Sequence, residues 1–169
     1  MYEGLRARGR RGLVVAIVAV ATGLVGFGLA GGGPFRGAGA AESPPAPEFL
    51  NADANTAAPY SDAVRVGQML YLAGQLGLDA DGKLVPGGIT PESERTMENL
   101  KHTLERNGSS LDRVVSCLLL LADIRDREAF NEVYARYFEK GRFPARSAIG
   151  TSGLYGGARL ELSCTAVLR

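Results

Sequence analysis

Apolar and polar positions from residue 57 onward switch between a period near two and a period near 3.6, the signatures of strands and helices. Val64 to Leu78 reads as a pair of strands, and Asp81-Gly82 is a turn signal ahead of Lys83-Leu84-Val85. Thr90-Pro91-Glu92 predicts a helix start, with a threonine cap, a proline at the first helical position and an acid in the first turn. Met97, Leu100 and Leu104 form its apolar stripe, and Asn107-Gly108 ends it. Val114 to Ala122 is the most apolar run of this region and predicts a central strand buried on both faces. Phe130, Val133, Tyr134, Tyr137 and Phe138 give a second helical stripe, which Gly141 and Pro144 terminate. Two further strands begin at Arg146 and Arg159, joined by Gly153-Leu154-Tyr155-Gly156-Gly157, which reads as a hairpin. The order predicts an α+β domain with two helices packed on one face of a mixed sheet.

The last strand contains a conflict. In Leu160-Glu161-Leu162-Ser163-Cys164-Thr165-Ala166, side-chain alternation puts Glu161, Ser163 and Thr165 on one face and the apolar residues on the other. A carboxylate in such a strand needs a partner or a wet cleft, because burying it alone is costly. Arg146 supplies the opposite charge, either directly to Glu161 or to a ligand that both residues face. Cys117 and Cys164 both lie in apolar strand runs, with no reason in the pattern to expect them in register, and are read as buried, inert thiols. No His/Cys/carboxylate cluster accompanies them, so no metal site is expected. His102, the only histidine, falls on the polar part of the first helix and is read as a surface residue.

The chain ahead of this domain differs in composition. Residues 1–12 carry Arg6, Arg8, Arg10 and Arg11 against Glu3, and residues 13–33 are free of charge. A basic flank before an apolar stretch is the pattern of an export element, either a cleaved signal peptide or a retained membrane anchor. The arginines stay on the cytoplasmic side and the domain is exported, to a periplasmic or extracellular space. Residues 1–33 thus contact the membrane or the export machinery. Residues 34–56, with Pro34, Pro44, Pro45 and Pro47 among small residues, have the composition of a disordered or extended linker. Residues 50–169 hold 14 Lys+Arg and 15 Asp+Glu, so no basic face presents itself to nucleic acid.

Five ordered segments of residues 57–169 resemble one family. They are Pro59-Tyr60-Ser61 before Val66-Gly67-Gln68-Met69-Leu70-Tyr71-Leu72-Ala73-Gly74-Gln75; Thr96-Met97-Glu98-Asn99-Leu100; Val114-Val115-Ser116-Cys117; Ala129-Phe130-Asn131-Glu132-Val133-Tyr134; and Pro144-Ala145-Arg146-Ser147 with Ile149, Leu154 and Leu160-Glu161-Leu162. Together they look like the RidA (YjgF/YER057c/UK114) family of enamine and imine deaminases. The resemblance implies a chorismate-mutase-like fold and a homotrimer with ligand sites between subunits. The implied reaction hydrolyses a reactive imine or enamine to a keto acid and ammonia, without a cofactor.

On that resemblance Arg146 holds the substrate carboxylate through paired hydrogen bonds, and Glu161 orients water and exchanges protons with it. Tyr60, Gly74 and Asn131 match positions lining the ligand cleft, and the backbone carbonyl of Ala148, where many members have cysteine, contacts the water. Two departures bear on substrate. Ala73 stands where a serine is common, and Leu154-Tyr155 where Leu-Pro is usual. A non-catalytic module that binds small carboxylates through Arg146 is the alternative. The ribonuclease activity attached to some relatives finds no support in the charge balance.

Overall fold

The computed structural model describes Ser43, residues 45–52 and residues 58–169. The proposed export element and most of the linker, including residues 53–56, lie outside the described residues. A six-stranded sheet runs in the order β1-β2-β3-β6-β4-β5, built from β1 (Glu48–Leu50), β2 (Ala63–Val66), β3 (Met69–Leu72), β4 (Val114–Leu121), β5 (Ala145–Gly150) and β6 (Leu160–Val167). Helices α1 (Ile89–Arg106) and α2 (Arg127–Tyr134) supply the second layer. The expected α+β architecture is thus present, and the ordered sheet reaches further back than residue 57. Glu48 pairs with Arg65 both in register and as an ion pair, so part of the presumed linker is an edge strand.

The final strand is not the second arm of a hairpin. β6 inserts between β3 and β4, antiparallel to both, while β5 pairs in parallel with β4. The Gly153–Gly157 connection therefore crosses over β4. Each of the segments β3–α1–β4 and β4–α2–β5 joins strands of the same direction, which requires a crossover long enough to hold a helix. α1 begins at Ile89 with Gly88 (φ 88°) as its cap, placing Thr90 and Pro91 inside the first turn. It ends as expected, with Gly108 at a φ of 81°.

The core lies between the sheet and the helices. Leu70, Leu72, Met97, Leu100, Leu104, Leu119, Leu121, Phe130, Leu160 and Leu162 are its large buried members. The expectation that β4 is buried on both faces fails. Cys117, Leu119 and Leu121 face the helices, but Leu118 is 38% exposed on the opposite side, where Tyr71 and Ile149 are also exposed. The helices cover one face of the sheet and leave the other open.

A one-residue irregularity decides the register. Val114 pairs with Ala166, but Ser116 pairs with Thr165, a β-bulge at Val115. Unbroken pairing would set Cys117 against Ser163; the bulge sets it against Cys164. The two cysteines form a disulfide with Cα atoms 4.1 Å apart, buried beneath the helices. They are therefore not free thiols, and the reason lies in the bulge, which no hydrophobic pattern encodes.

The disulfide closes a loop with a sequence separation of 47, and constraining the unfolded chain in this way is worth about 2–4 kcal/mol. A Cys117→Ala/Cys164→Ala variant is expected to unfold at lower urea concentration by that amount. Reductant should shift the wild-type midpoint in the same direction and leave the variant's midpoint unchanged.

Candidate active site

Arg146 lies on β5, an edge strand, and its register partner is Cys117, so its side chain leaves the face that α2 covers. There α2 presents Phe130, Asn131 and Tyr134, with Tyr134 four residues after Phe130 and three after Asn131, on one side of the helix. The guanidinium sits over the Tyr134 ring at 4.5 Å and the Phe130 ring at 5.2 Å from the centroids. Such cation–π contacts hold the planar group flat. Its Nη2 donates to Asn131 Oδ1. Its Nη1 is buried and has no hydrogen-bond partner among the described residues. Burial lowers the Arg146 pKa from its ordinary value, and burial likewise pushes Tyr134 up to about 12, so the phenol beneath the cation stays neutral. Asn131, Tyr134, Phe143, Pro144 and Arg146 line a pocket of about 370 Å³. Ala148 follows on the same face of β5 and packs against the core.

Glu161 belongs to a different pocket. It stands against Gly74, where an added Cβ would meet Glu161 Oε1 at 1.8 Å. The segment after β3 holds this arrangement: Gln75 N donates to Leu162 O at 2.9 Å and Leu162 N donates to Gln75 O at 3.0 Å. At the start of β6, the buried Glu92 carboxylate accepts from Arg159 N at 2.8 Å and Leu160 N at 3.3 Å. The acid expected in the first turn of α1 thus anchors the strand that carries Glu161. A cleft of about 860 Å³ opens here, lined by Tyr60, Ala73, Gly74, Tyr155 and Glu161 among others. His102 is exposed, as expected, and also borders this cleft.

Arg146 and Glu161 do not form an ion pair. Arg146 is opposite Cys117 and Glu161 opposite Leu120, three residues further along β4. An odd offset sends the two side chains to opposite faces of the sheet, with two strand spacings, about 10 Å, between their strands. The sequence-predicted residues therefore divide into two groups: Asn131, Arg146 and Ala148 on the helix side of β5, and Tyr60, Gly74 and Glu161 around the cleft.

The family model described as Endoribonuclease L-PSP matches residues 51–168. The chain belongs to this family, the RidA (YjgF/YER057c/UK114) family. It is similar to the 2-iminobutanoate/2-iminopropanoate deaminase of Capra hircus, with 44% identity over 110 residues, covering 64% of this chain and 80% of the relative. Among solved structures, yeast Mmf1 is 32% identical with a TM-score of 0.68, covering 73% of this chain and 100% of that one. RidA from the Antarctic bacterium Psychrobacter sp. is also 32% identical, with a TM-score of 0.63 and coverage of 68% and 92%.

Sequence reasoning missed the aromatic floor beneath Arg146 in this RidA-family chain. The apolar stripe by itself assigns Phe130 and Tyr134 to the core; their spacing of one turn around Asn131 is the available signal. It also missed Glu92, whose role depends on where β6 lies.

Gly74→Ala tests the close approach of strand and carboxylate. The added methyl meets a flexible side chain rather than backbone, so the domain should stay folded while Glu161 is displaced. With Glu161 in the acid–base role that the family resemblance implies, turnover should fall by about a hundredfold. Unchanged circular dichroism with lost activity is the expected result.

Proposed function

We propose that this chain is an enamine/imine deaminase that releases 2-keto acids and ammonia, with each site assembled between neighbouring subunits of a homotrimer. The buried, unpartnered Nη1 of Arg146 carries this reading. A guanidinium with one N–H engaged by Asn131 and another withdrawn from water is prepared for an anion, and a carboxylate fits its fork through paired bonds. The relatives named 2-iminobutanoate/2-iminopropanoate deaminase support the same chemistry.

Arg146 of one subunit orients the substrate carboxylate toward Glu161 of the next. The protonated imine, R–C(=NH2+)–COO−, takes up water at C2 while Glu161 accepts the proton that the water releases. Glu161 returns that proton to nitrogen. Collapse of the carbinolamine breaks the C–N bond and expels ammonia, which leaves as ammonium with the hydroxyl proton, giving R–CO–COO−. The Ala148 carbonyl helps to hold the water. Holding water and substrate together is itself a large part of the acceleration for an already activated electrophile.

The division of residues over two faces supports assembly between chains. The open sheet face, with Tyr71, Leu118 and Ile149 exposed, is an apolar surface of the kind that subunits cover. We also propose that the protein is exported by its N-terminal segment. A disulfide within the core supports this, since such bonds persist in oxidising compartments.

Freshly generated 2-iminopropanoate and 2-iminobutanoate should be hydrolysed by the full-length protein. Glu161→Gln should lower kcat about a hundred- to ten-thousandfold, and Arg146→Ala should lower kcat/KM about thirtyfold or more. Mixed trimers of Arg146→Ala and Glu161→Ala chains should regain about a quarter of wild-type activity, since that share of neighbour contacts pairs an intact arginine with an intact glutamate. Absence of complementation would rule out the shared site. A wild type that binds small carboxylates but turns over neither imine would establish the non-catalytic module instead. Cell fractionation with thiol trapping checks export: the protein should be found outside the cytoplasm with both cysteines protected until reductant is added.

A further inference from the structure

The Cys117–Cys164 disulfide is in contact with the residues that hold Arg146. Cys117 is the register partner of Arg146 on the neighbouring parallel strand, so the two side chains leave the sheet side by side on the face that α2 covers. Tyr134 touches both. Its ring supports the guanidinium at 4.5 Å, and its hydroxyl donates to Cys117 Sγ at 3.9 Å. The rings of Phe130 and Phe138 pack against Tyr134 with centroids 5.4 Å and 4.6 Å away. Tyr134, Cys117 and Cys164 are all buried.

This packing makes the state of the sulfurs matter to the cation. Two bonded sulfurs take less room than two thiols, which need an ordinary non-bonded separation. In a close-packed interior that room comes from the neighbours. One neighbour is the Tyr134 hydroxyl, and a buried hydroxyl deprived of its acceptor is costly. The ring therefore follows the sulfur, and the guanidinium resting on the ring follows it in turn. Glu161 stands outside this column: it is opposite Leu120 and points to the other face of the sheet.

We propose that the Cys117–Cys164 disulfide is a positioning device for Arg146, acting through Tyr134, so that the grip on a carboxylate is complete only when the two cysteines are joined. This rests on the reading of Arg146 as the carboxylate grip and adds a control on its affinity. Reduction by a dithiol breaks the S–S bond, delivers two electrons and two protons to the cysteine pair, and leaves the reagent as a cyclic disulfide. The acceptor that aims the Tyr134 hydroxyl is then displaced, while the Glu161 cleft is left as it was.

The test compares three forms of the full-length protein, each checked as folded by circular dichroism. They are the disulfide-bonded wild type, the wild type purified in dithiothreitol with both thiols confirmed by mass after alkylation, and Cys117→Ala/Cys164→Ala. Calorimetry should show pyruvate bound about three- to tenfold more weakly by both forms that lack the bond. KM for 2-iminopropanoate should rise to match, with kcat changed by less than about twofold; a general loosening of the fold would lower kcat instead. Tyr134→Phe should bind pyruvate equally in its two redox states. Equal affinities with and without the bond, a loss confined to kcat, or a redox effect that persists in Tyr134→Phe would overturn the inference. If the disulfide-bonded wild type does not bind pyruvate, the carboxylate reading of Arg146 fails by itself. The Arg146 Nε–H magnetic resonance signal, assigned by its loss in Arg146→Lys, then decides the coupling. Its ring-current shift should differ between redox states in the wild type and not in Tyr134→Phe, and a signal unmoved by reduction overturns the coupling.

Discussion

Everything in this domain depends on the insertion of the last strand into the middle of the sheet. β6 separates β3 from β4 and supplies Leu160, Leu162, Cys164 and Ala166 to the core from alternate positions. The same alternation forces Glu161 to the other side, where the departure of the chain after β3 leaves a cleft. A carboxylate is kept in a strand otherwise devoted to packing because the pleat gives it its own face. Glu92 then ties the beginning of that strand to α1, so the helix layer and the position of Glu161 are set together.

The arginine half of the site uses a different physical device. A guanidinium at an edge strand would ordinarily extend into water. Here two aromatic rings and an amide from α2 hold it, and one buried N–H is left without a partner among the described residues. A buried N–H without a partner carries a desolvation cost that a hydrogen-bond acceptor would offset. The two halves lie on opposite faces of the sheet, so within a single subunit Arg146 and Glu161 do not meet. The proposed deaminase chemistry needs both in one place, and it is this proposal that would give the open, partly apolar sheet face a part in assembly.

The bulge at Val115 links stability to this arrangement. By advancing the register one residue, it aligns Cys117, Leu119 and Leu121 with Cys164, Leu162 and Leu160 on the helix-facing side. Val115 and Ser116 are both exposed, between buried Val114 and Cys117, for the same reason. The disulfide lies beneath Tyr134, whose hydroxyl approaches Cys117 Sγ at 3.9 Å and whose ring supports Arg146. The cross-link, the aromatic floor and the cation thus form one packed column.

The sequence by itself determined the two helices with their stripes and the strands from Ala63 onward, and singled out Glu161, because periodicity is a local property and a carboxylate in an apolar strand is conspicuous. Its resemblance to one family named Tyr60, Gly74, Asn131 and Ala148 as companions. Only the tertiary structure decided that β6 lies between β3 and β4, that β4 has an open face, and that a bulge joins Cys117 to Cys164. It alone separated Arg146 from Glu161 across the sheet and placed Phe130, Tyr134 and Glu92 in supporting roles. The physical reason is that strand order, register and facing arise from contacts between distant segments. A one-residue slip, invisible in any apolar pattern, changes which side chains meet.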